Sequence, residues 1–128
     1  MTDYLLDTHT LIWLLESSSK VSDTIKEKLK FPGNQVFLSS ASLWEIAIKT
    51  NIGKLELKSP FNKLLSDLQK TDIIILQIEN EYLQNLSTLP FIHKDPFDRL
   101  LIATALVENL TILTADENIQ KYDVSWEW

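Results

Sequence analysis

Four carboxylates, Asp7, Glu45, Asp98 and Asp116, each stand where an apolar run gives way to a turn or to the start of a helix. Asp7 closes Tyr4-Leu5-Leu6, and Asp116 follows Leu110-Thr111-Ile112-Leu113 after Thr114-Ala115. Glu45 lies inside a helical pattern that follows Val36-Phe37-Leu38, and Asp98 opens the apolar stretch Leu100-Leu101-Ile102-Ala103. If the apolar runs are parallel strands, their carboxyl ends share one rim, where open α/β sheets bind their ligands. Acids gathered there repel one another, which is costly without a counter-charge. Hard divalent cations such as Mg²⁺ supply that charge and prefer oxygen ligands. The pattern therefore points to metal-dependent chemistry.

Taken singly, each acid also has a structural reading. Asp7, followed by Thr8, is a natural helix cap. Glu45 and Lys49 are spaced as a surface ion pair on a helix. Asp98 sits in the first turn of a helix begun by Pro96, where the macrodipole favours negative charge, and Asp116 falls in a strand-to-turn step that suits Asp. Four such acids on four separate segments are harder to explain structurally than any one of them. Asp95, just before Pro96, is expected to cap that helix and leave Asp98 to the site. Thr8 and Thr114 stand near the rim as supporting hydroxyls. Arg99, Lys49 and Lys54 are candidates for substrate phosphate, Arg99 foremost because it adjoins Asp98; Lys94 is a further one. His9 and His93 lack the spacing of a zinc site. His9 is expected on a solvent-facing side of its helix, or behind Asp7.

The elements that must position these residues alternate along the chain. Strands are expected at 3–7, 36–39, 72–76, 111–114 and 124–126, from β-branched and near-continuously apolar runs. Helices are expected from Thr8 to Glu16, Asp23 to Phe31 behind the cap Ser22, and Ala41 to Lys49. Others run from Ser59-Pro60 (cap and first position) to about Lys70, from Glu79 to Leu86, from Pro96 to Glu108 or Asn109, and over Glu117 to Gln120. Such alternation implies a parallel sheet with right-handed crossovers and helices on both faces. The run Leu11-Ile12-Trp13-Leu14-Leu15 is more apolar than one sheet contact requires. It fits a helix wedged between the sheet and a neighbouring helix, or an interface with another chain.

Composition bounds the function further. The 128 residues suit one domain, and 45% apolar with 23% charged residues is ordinary for a globular chain. No apolar run reaches the ~20 residues that span a bilayer, and Met1-Thr2-Asp3-Tyr4 lacks the basic start of a signal peptide. A cytoplasmic location with no membrane contact is expected. With no Cys, thiolate ligands, disulfides and Cys nucleophiles are excluded. The net charge of −6 argues against a broad basic nucleic-acid-binding face, but the four acids carry most of it and leave −2 on the rest. Bound metal and a few local cations would then be needed to hold a phosphate substrate.

At this level of detail the chain resembles the PIN-domain ribonucleases, and within them the VapC-type toxins of type II toxin–antitoxin pairs. The resemblance is carried by Leu5-Leu6-Asp7-Thr8-His9, Trp44-Glu45-Ile46-Ala47-Ile48-Lys49, Gly53-Lys54-Leu55-Glu56-Leu57 and Leu113-Thr114-Ala115-Asp116. Its most specific piece is His93-Lys94-Asp95-Pro96-Phe97-Asp98-Arg99 with Leu101-Ile102-Ala103-Thr104-Ala105 after it. It implies one PIN domain over residues 1–128, a three-layer α/β/α fold with a mainly parallel central sheet of about four to five strands. It also implies an endoribonuclease dependent on Mg²⁺ or Mn²⁺, with the family's acids falling on Asp7, Glu45, Asp98 and Asp116 and its hydroxyl companion on Thr114. Asp7, Asp98 and Asp116 would hold metal, and Glu45 would complete the metal shell or orient water. The implied partners are an RNA substrate and a small antitoxin protein; a second copy of the chain is expected to use part of the same apolar surface as the antitoxin, giving a homodimer. A phosphoryl-accepting domain of dehalogenase type would want an acid where His9 stands, and a receiver would want one where Gln77 ends the third strand. The alternative left is a non-catalytic metal- or partner-binding module.

Overall fold

The computed structural model describes residues 1–128. Its five strands are β1 (Asp3–Leu6), β2 (Gln35–Ser39), β3 (Ile74–Leu76), β4 (Thr111–Leu113) and β5 (Trp126–Glu127), in the sheet order β3-β2-β1-β4-β5. Every pairing is parallel, and central β1 sets Leu6 beside Leu38 on one side and Leu113 on the other. Seven helices fill the connections: α1 (Thr8–Leu15), α2 (Asp23–Lys30), α3 (Ser40–Asn51), α4 (Phe61–Gln69), α5 (Asn80–Ser87), α6 (Pro96–Glu108) and α7 (Glu117–Gln120).

Side chains alternate across a strand, and here both faces are apolar. Tyr4, Leu6, Val36, Leu38 and Leu113 pack with Leu11 and Ile12 of α1, Ile25 of α2, Ile46 of α3 and Leu64 and Leu68 of α4. Leu5 and Ile112 turn the other way, onto Leu101, Ile102 and Ala105 of α6, Ile119 of α7 and Tyr122. A third cluster, Ala41, Tyr82 and Leu100, joins α3, α5 and α6. The result is the three-layer, mainly parallel architecture expected. Leu5, Leu6, Ile112 and Leu113 are wholly buried, so truncating Leu6 to Ala under the rim should cost about 2–5 kcal/mol.

The chain winds from β1 towards β3 on one side and resumes at β4 on the other, which makes the β1–β4 boundary the switch point of the sheet. Ligand crevices form there, outside the carboxyl ends of the strands. Two helix ends nearby have clear local causes. Past α3, Gly53 adopts φ +75, and the amides of Gly53 and Lys54 return to the carbonyls of Thr50 (3.3 Å) and Lys49 (2.8 Å). This pairing of bonds satisfies the last free carbonyls and favours Gly at that position. Past α6, Asn109 takes the left-handed conformation, so the chain turns into β4 within two residues.

Some boundaries differ from expectation. Pro60, not Ser59, is the N-cap of α4, with no side-chain cap bond, and the helix starts at Phe61. The last strand lies at Trp126–Glu127 because Val124 still belongs to a turn, its amide bonded to the Tyr122 carbonyl at 2.9 Å. In α1, Leu11 and Ile12 are buried, while Trp13, Leu14 and Leu15 pack half-buried on the same core. Trp13 is further covered by Lys20 at 5.0 Å and by Trp128. The wedged reading of that helix holds.

Candidate functional site

Asp7 leaves β1 in extended conformation and caps α1, its Oδ1 accepting from the Thr10 amide at 2.7 Å. Its Oδ2 accepts from Thr114 Oγ1 at 2.5 Å. Thr114, just past β4 and wholly buried, also accepts at Oγ1 from the Asp116 amide at 3.0 Å. Thr10 Oγ1 donates to the Leu113 carbonyl at 3.0 Å. These bonds stitch the carboxyl ends of β1 and β4 together and place Asp116 beside them, where it caps α7 through the Asn118 amide at 2.8 Å. Burial pushes the Asp7 carboxyl above its ordinary range, and the bonds from Thr10 and Thr114 work against that shift.

Glu45 is carried by α3 and is only 3% exposed. Its Oε1 accepts from Thr8 Oγ1 at 2.6 Å, and its Oε2 is bound by the Lys49 ammonium. The spacing suggested a surface pair, but here the carboxylate is buried and the pair is shielded at its acid end. Thr8 Oγ1 also lies 3.0 Å from Ser42 Oγ, one helical turn before Glu45. Burial works to lower the Lys49 pKa, but the bond to Glu45 and the charges of Glu45, Asp95 and Asp98 outweigh it and raise the pKa. Lys49 thus lies in the field of the acids.

At the start of α6 the two nearby acids divide their roles as the sequence suggests. Asp95 Oδ1 accepts from the amides of Phe97 (2.9 Å) and Asp98 (3.0 Å), capping the helix. Asp98 is left with one bond, between its Oδ2 and His93 Nε2 at 3.2 Å. Its carboxyl is pushed up to about 7 by burial first, then by the negative charge of Asp95, with Asp116 and Glu45 adding to the rise and His93 opposing it. Asp116 follows β4 and Glu45 rides on α3, so acids from three separate segments act on one another.

The expected contact between Arg99 and substrate phosphate is not what the geometry offers. Arg99 is buried, and its guanidinium donates to the carbonyls of Pro90 (2.9 Å) and Leu89 (3.3 Å) and to the Tyr122 hydroxyl (3.0 Å). It also stacks on Phe91 at 4.8 Å. These three bonds turn the guanidinium towards the protein, away from a position where it would meet substrate first. Lys54 is exposed in the turn after α3, with no side-chain bond to the acids. His9 is exposed and tilts against Trp13. The sequence assigns no site role to Ser42 or Thr10, and His93 is weighed there only as a zinc ligand and as part of the resemblance. Ser42 had a usable signal, since positions three apart share a helix face. His93 stood at the head of the most specific resemblance piece, but its contact with Asp98 runs through a loop whose path no periodicity reports.

The donor set is all oxygen and carries excess negative charge, which is the chemistry a hard divalent ion matches. At Asp98 that excess adds to the effect of burial in raising the carboxyl, whereas Asp7 is raised by burial alone. In spacing, no three acidic or imidazole side chains stand close enough to surround one ion. The fit therefore lies in charge and ligand type.

A doubly wound parallel sheet with acids placed by its central strand ends and the adjoining helices defines a class of α/β protein suited to phosphate chemistry. The family model of the PIN domain matches residues 4–125, and the chain belongs to that family. PIN domains are generally nucleases, and PIN nucleases generally use divalent metal ions. Among solved structures, the fold is similar to VapBC2 from Rickettsia felis bound to a DNA fragment from its promoter, with a TM-score of 0.74 and 18% identity over 98% of each chain. DNA-bound VapBC from Salmonella typhimurium gives 0.72 and 17%, covering 99% of this chain and 98% of that one. A toxin–antitoxin complex from Klebsiella pneumoniae gives 0.65 and 19%, covering 98% and 96%. No curated protein sequence matches the chain significantly. No helix is long and apolar enough to cross a membrane.

Proposed function

We propose that the chain is a Mg²⁺- or Mn²⁺-dependent endoribonuclease and the toxin of a type II toxin–antitoxin pair. The observation that carries this reading is the gathering of Asp98 with Asp95, Asp116 and Glu45 from three segments, where burial first and then these charges push the Asp98 carboxyl up to about 7. Membership in the PIN family and likeness to VapBC assemblies support it. Asp7, Asp98 and Asp116 are the residues proposed to hold the metal. Bound there, a divalent ion would offset the acids, draw in the scissile phosphate and ease attack by water at phosphorus.

The chain's own residues have definable parts. Thr114 and the Thr10 amide hold the Asp7 carboxylate in one orientation. Thr8 and Lys49 hold Glu45, leaving its remaining lone pairs for a water or a metal ligand. Lys49 offers the cation best placed among the acids to meet a substrate phosphate, and exposed Lys54 a more distant one. The antitoxin is proposed to place a Lys or Arg in the acidic crevice, resting apolar residues on Trp44, which is 58% exposed and packs edge-on against Phe97. Leu11, an alternative anchor, is buried in the core.

Incubation with single-stranded RNA and Mn²⁺, with and without chelator, tests the proposal. Cleavage that requires the metal and disappears in Asp7→Asn is expected; intact RNA under all conditions would leave only a binding module. Expression of the chain alone should slow cell growth and Asp7→Asn should relieve it, while sedimentation decides whether the chain also pairs with itself.

A further inference from the structure

The hydroxyl of Tyr122, a residue only 5% exposed, sits among three partners. It accepts from the His93 amide at 3.2 Å and from Arg99 Nη1 at 3.0 Å, and it lies 2.8 Å from His93 Nδ1. A hydroxyl has two lone pairs and one proton. Both lone pairs are engaged by donors that cannot act as acceptors, so the proton must point to Nδ1. His93 Nδ1 is then an acceptor, and the neutral ring carries its hydrogen on Nε2. That nitrogen faces Asp98 Oδ2 at 3.2 Å, while Oδ1 accepts no bond from the protein.

From this geometry we propose that His93 is a positioning residue for Asp98, locked by Tyr122 and Arg99 as the Nε2–H tautomer that donates to the carboxylate. The inference rests on the metal-nuclease reading for its consequence, though not for its geometry. Arg99 is the anchor of the device. It ties Tyr122 to the carbonyls of Leu89 and Pro90 at the base of the loop that carries His93. His93 and Tyr122 also meet edge to face, with ring centroids 5.4 Å apart, which restricts rotation of the imidazole. The bond selects one oxygen of Asp98 and holds the side chain, leaving the other oxygen for the cluster. Tyr122 closely follows α7, which Asp116 caps, so one short segment serves both acids.

Imidazole ¹⁵N spectra of the metal-free protein test the tautomer, with His93→Gln assigning the signal against His9. At about pH 8, where an ordinary imidazole is neutral, His93 should carry hydrogen on Nε2 and not on Nδ1. A predominant Nδ1–H form in the wild type would overturn the proposal whether or not the protein cleaves RNA. The functional arm compares His93→Ala with His93→Gln, whose amide can accept from Tyr122 and donate to Asp98. Loss of a group that orients a metal ligand typically costs about 10- to 100-fold in activity or metal affinity. His93→Ala should therefore lower kcat on single-stranded RNA by that factor with little change in KM, and His93→Gln should recover most of it. If the wild type cleaves no RNA, Mn²⁺ affinity by calorimetry is read in the same two variants and the same order is expected. Folded His93→Ala with undiminished kcat or Mn²⁺ affinity, or folded His93→Gln no better than His93→Ala, would also overturn it.

Discussion

Asp7 and Asp98 are both proposed to hold metal, and burial pushes both towards the neutral form. They meet that pressure differently. Asp7 is tied to both central strands, each of its oxygens accepting a bond from a fixed donor, Thr10 or Thr114. Asp98 has one side-chain bond, from His93, against the charges of Asp95, Asp116 and Glu45, and its carboxyl rises to about 7. The strand side of the site thus holds its acid by hydrogen bonds at both oxygens, whereas the helix side holds its acid by one oxygen among like charges. The strand side should resist loss of metal, and the helix side should respond to it.

The largest effect expected is on catalysis, where the two sides should not differ. Asp7→Asn, Asp98→Asn and Asp116→Asn should each abolish RNA cleavage while the fold persists, as read by gel assay and circular dichroism. Full activity in any two of them would remove the metal-site assignment. Stability should separate the sides. Thr114→Val leaves a buried Asp7 oxygen and the Asp116 amide without their partner, at a cost of about 1–3 kcal/mol in urea unfolding. Asp98→Asn removes one repelling charge and should leave the metal-free protein at least as stable as the wild type at neutral pH.

A pH titration of metal-free stability sharpens the contrast. Asp98 has an unfolded-state value of 3.8 and a folded value of about 7. Between these the native state binds more protons than the unfolded one, so stability falls as pH rises through that window, by at most about 1.4 kcal/mol per pH unit for one proton. The contribution is fully favourable only below the unfolded value. Asp98→Asn should flatten the slope, and saturating Mn²⁺ should do so in the wild type. A slope of the opposite sign assigned to Asp98 would show that its carboxylate is already well compensated without metal. The smallest effect concerns Asp95. Asp95→Ala should cost about 1 kcal/mol for the lost cap, and Asp95→Ser should recover most of it, with much of the activity kept in the latter. Loss of activity in a fully stable Asp95→Ser would mean that Asp95, too, serves the metal.

The elements were legible because each carries a local cause. Near-continuous apolar runs marked β1 and β4, Pro96 behind Asp95 marked the start of α6, and Ser22 marked that of α2. The division between a capping Asp95 and a non-capping Asp98 could be read for the same reason, since capping depends only on neighbours in the chain. What depended on tertiary path was not legible. Arg99 adjoins Asp98 in sequence, yet successive helix positions point in different directions, and its donors turn inward to Leu89, Pro90 and Tyr122. His93 reaches Asp98 only because the loop before α6 folds back under Tyr122. The extent of the last strand also escaped, because the turn at Tyr122–Val124 displaces it along β4.

The account turns on whether the acids form one site completed by a divalent ion. Calorimetric titration of the metal-free protein with Mn²⁺ near neutral pH, repeated on Asp7→Asn and Asp98→Asn, measures this directly. Binding by the wild type should release protons, since the raised Asp98 carboxyl must ionise, and it should raise the melting temperature by mass action. Both variants should bind far more weakly, and Asp98→Asn should release fewer protons. Equal Mn²⁺ affinity in all three proteins, or no binding by the wild type, would contradict the account.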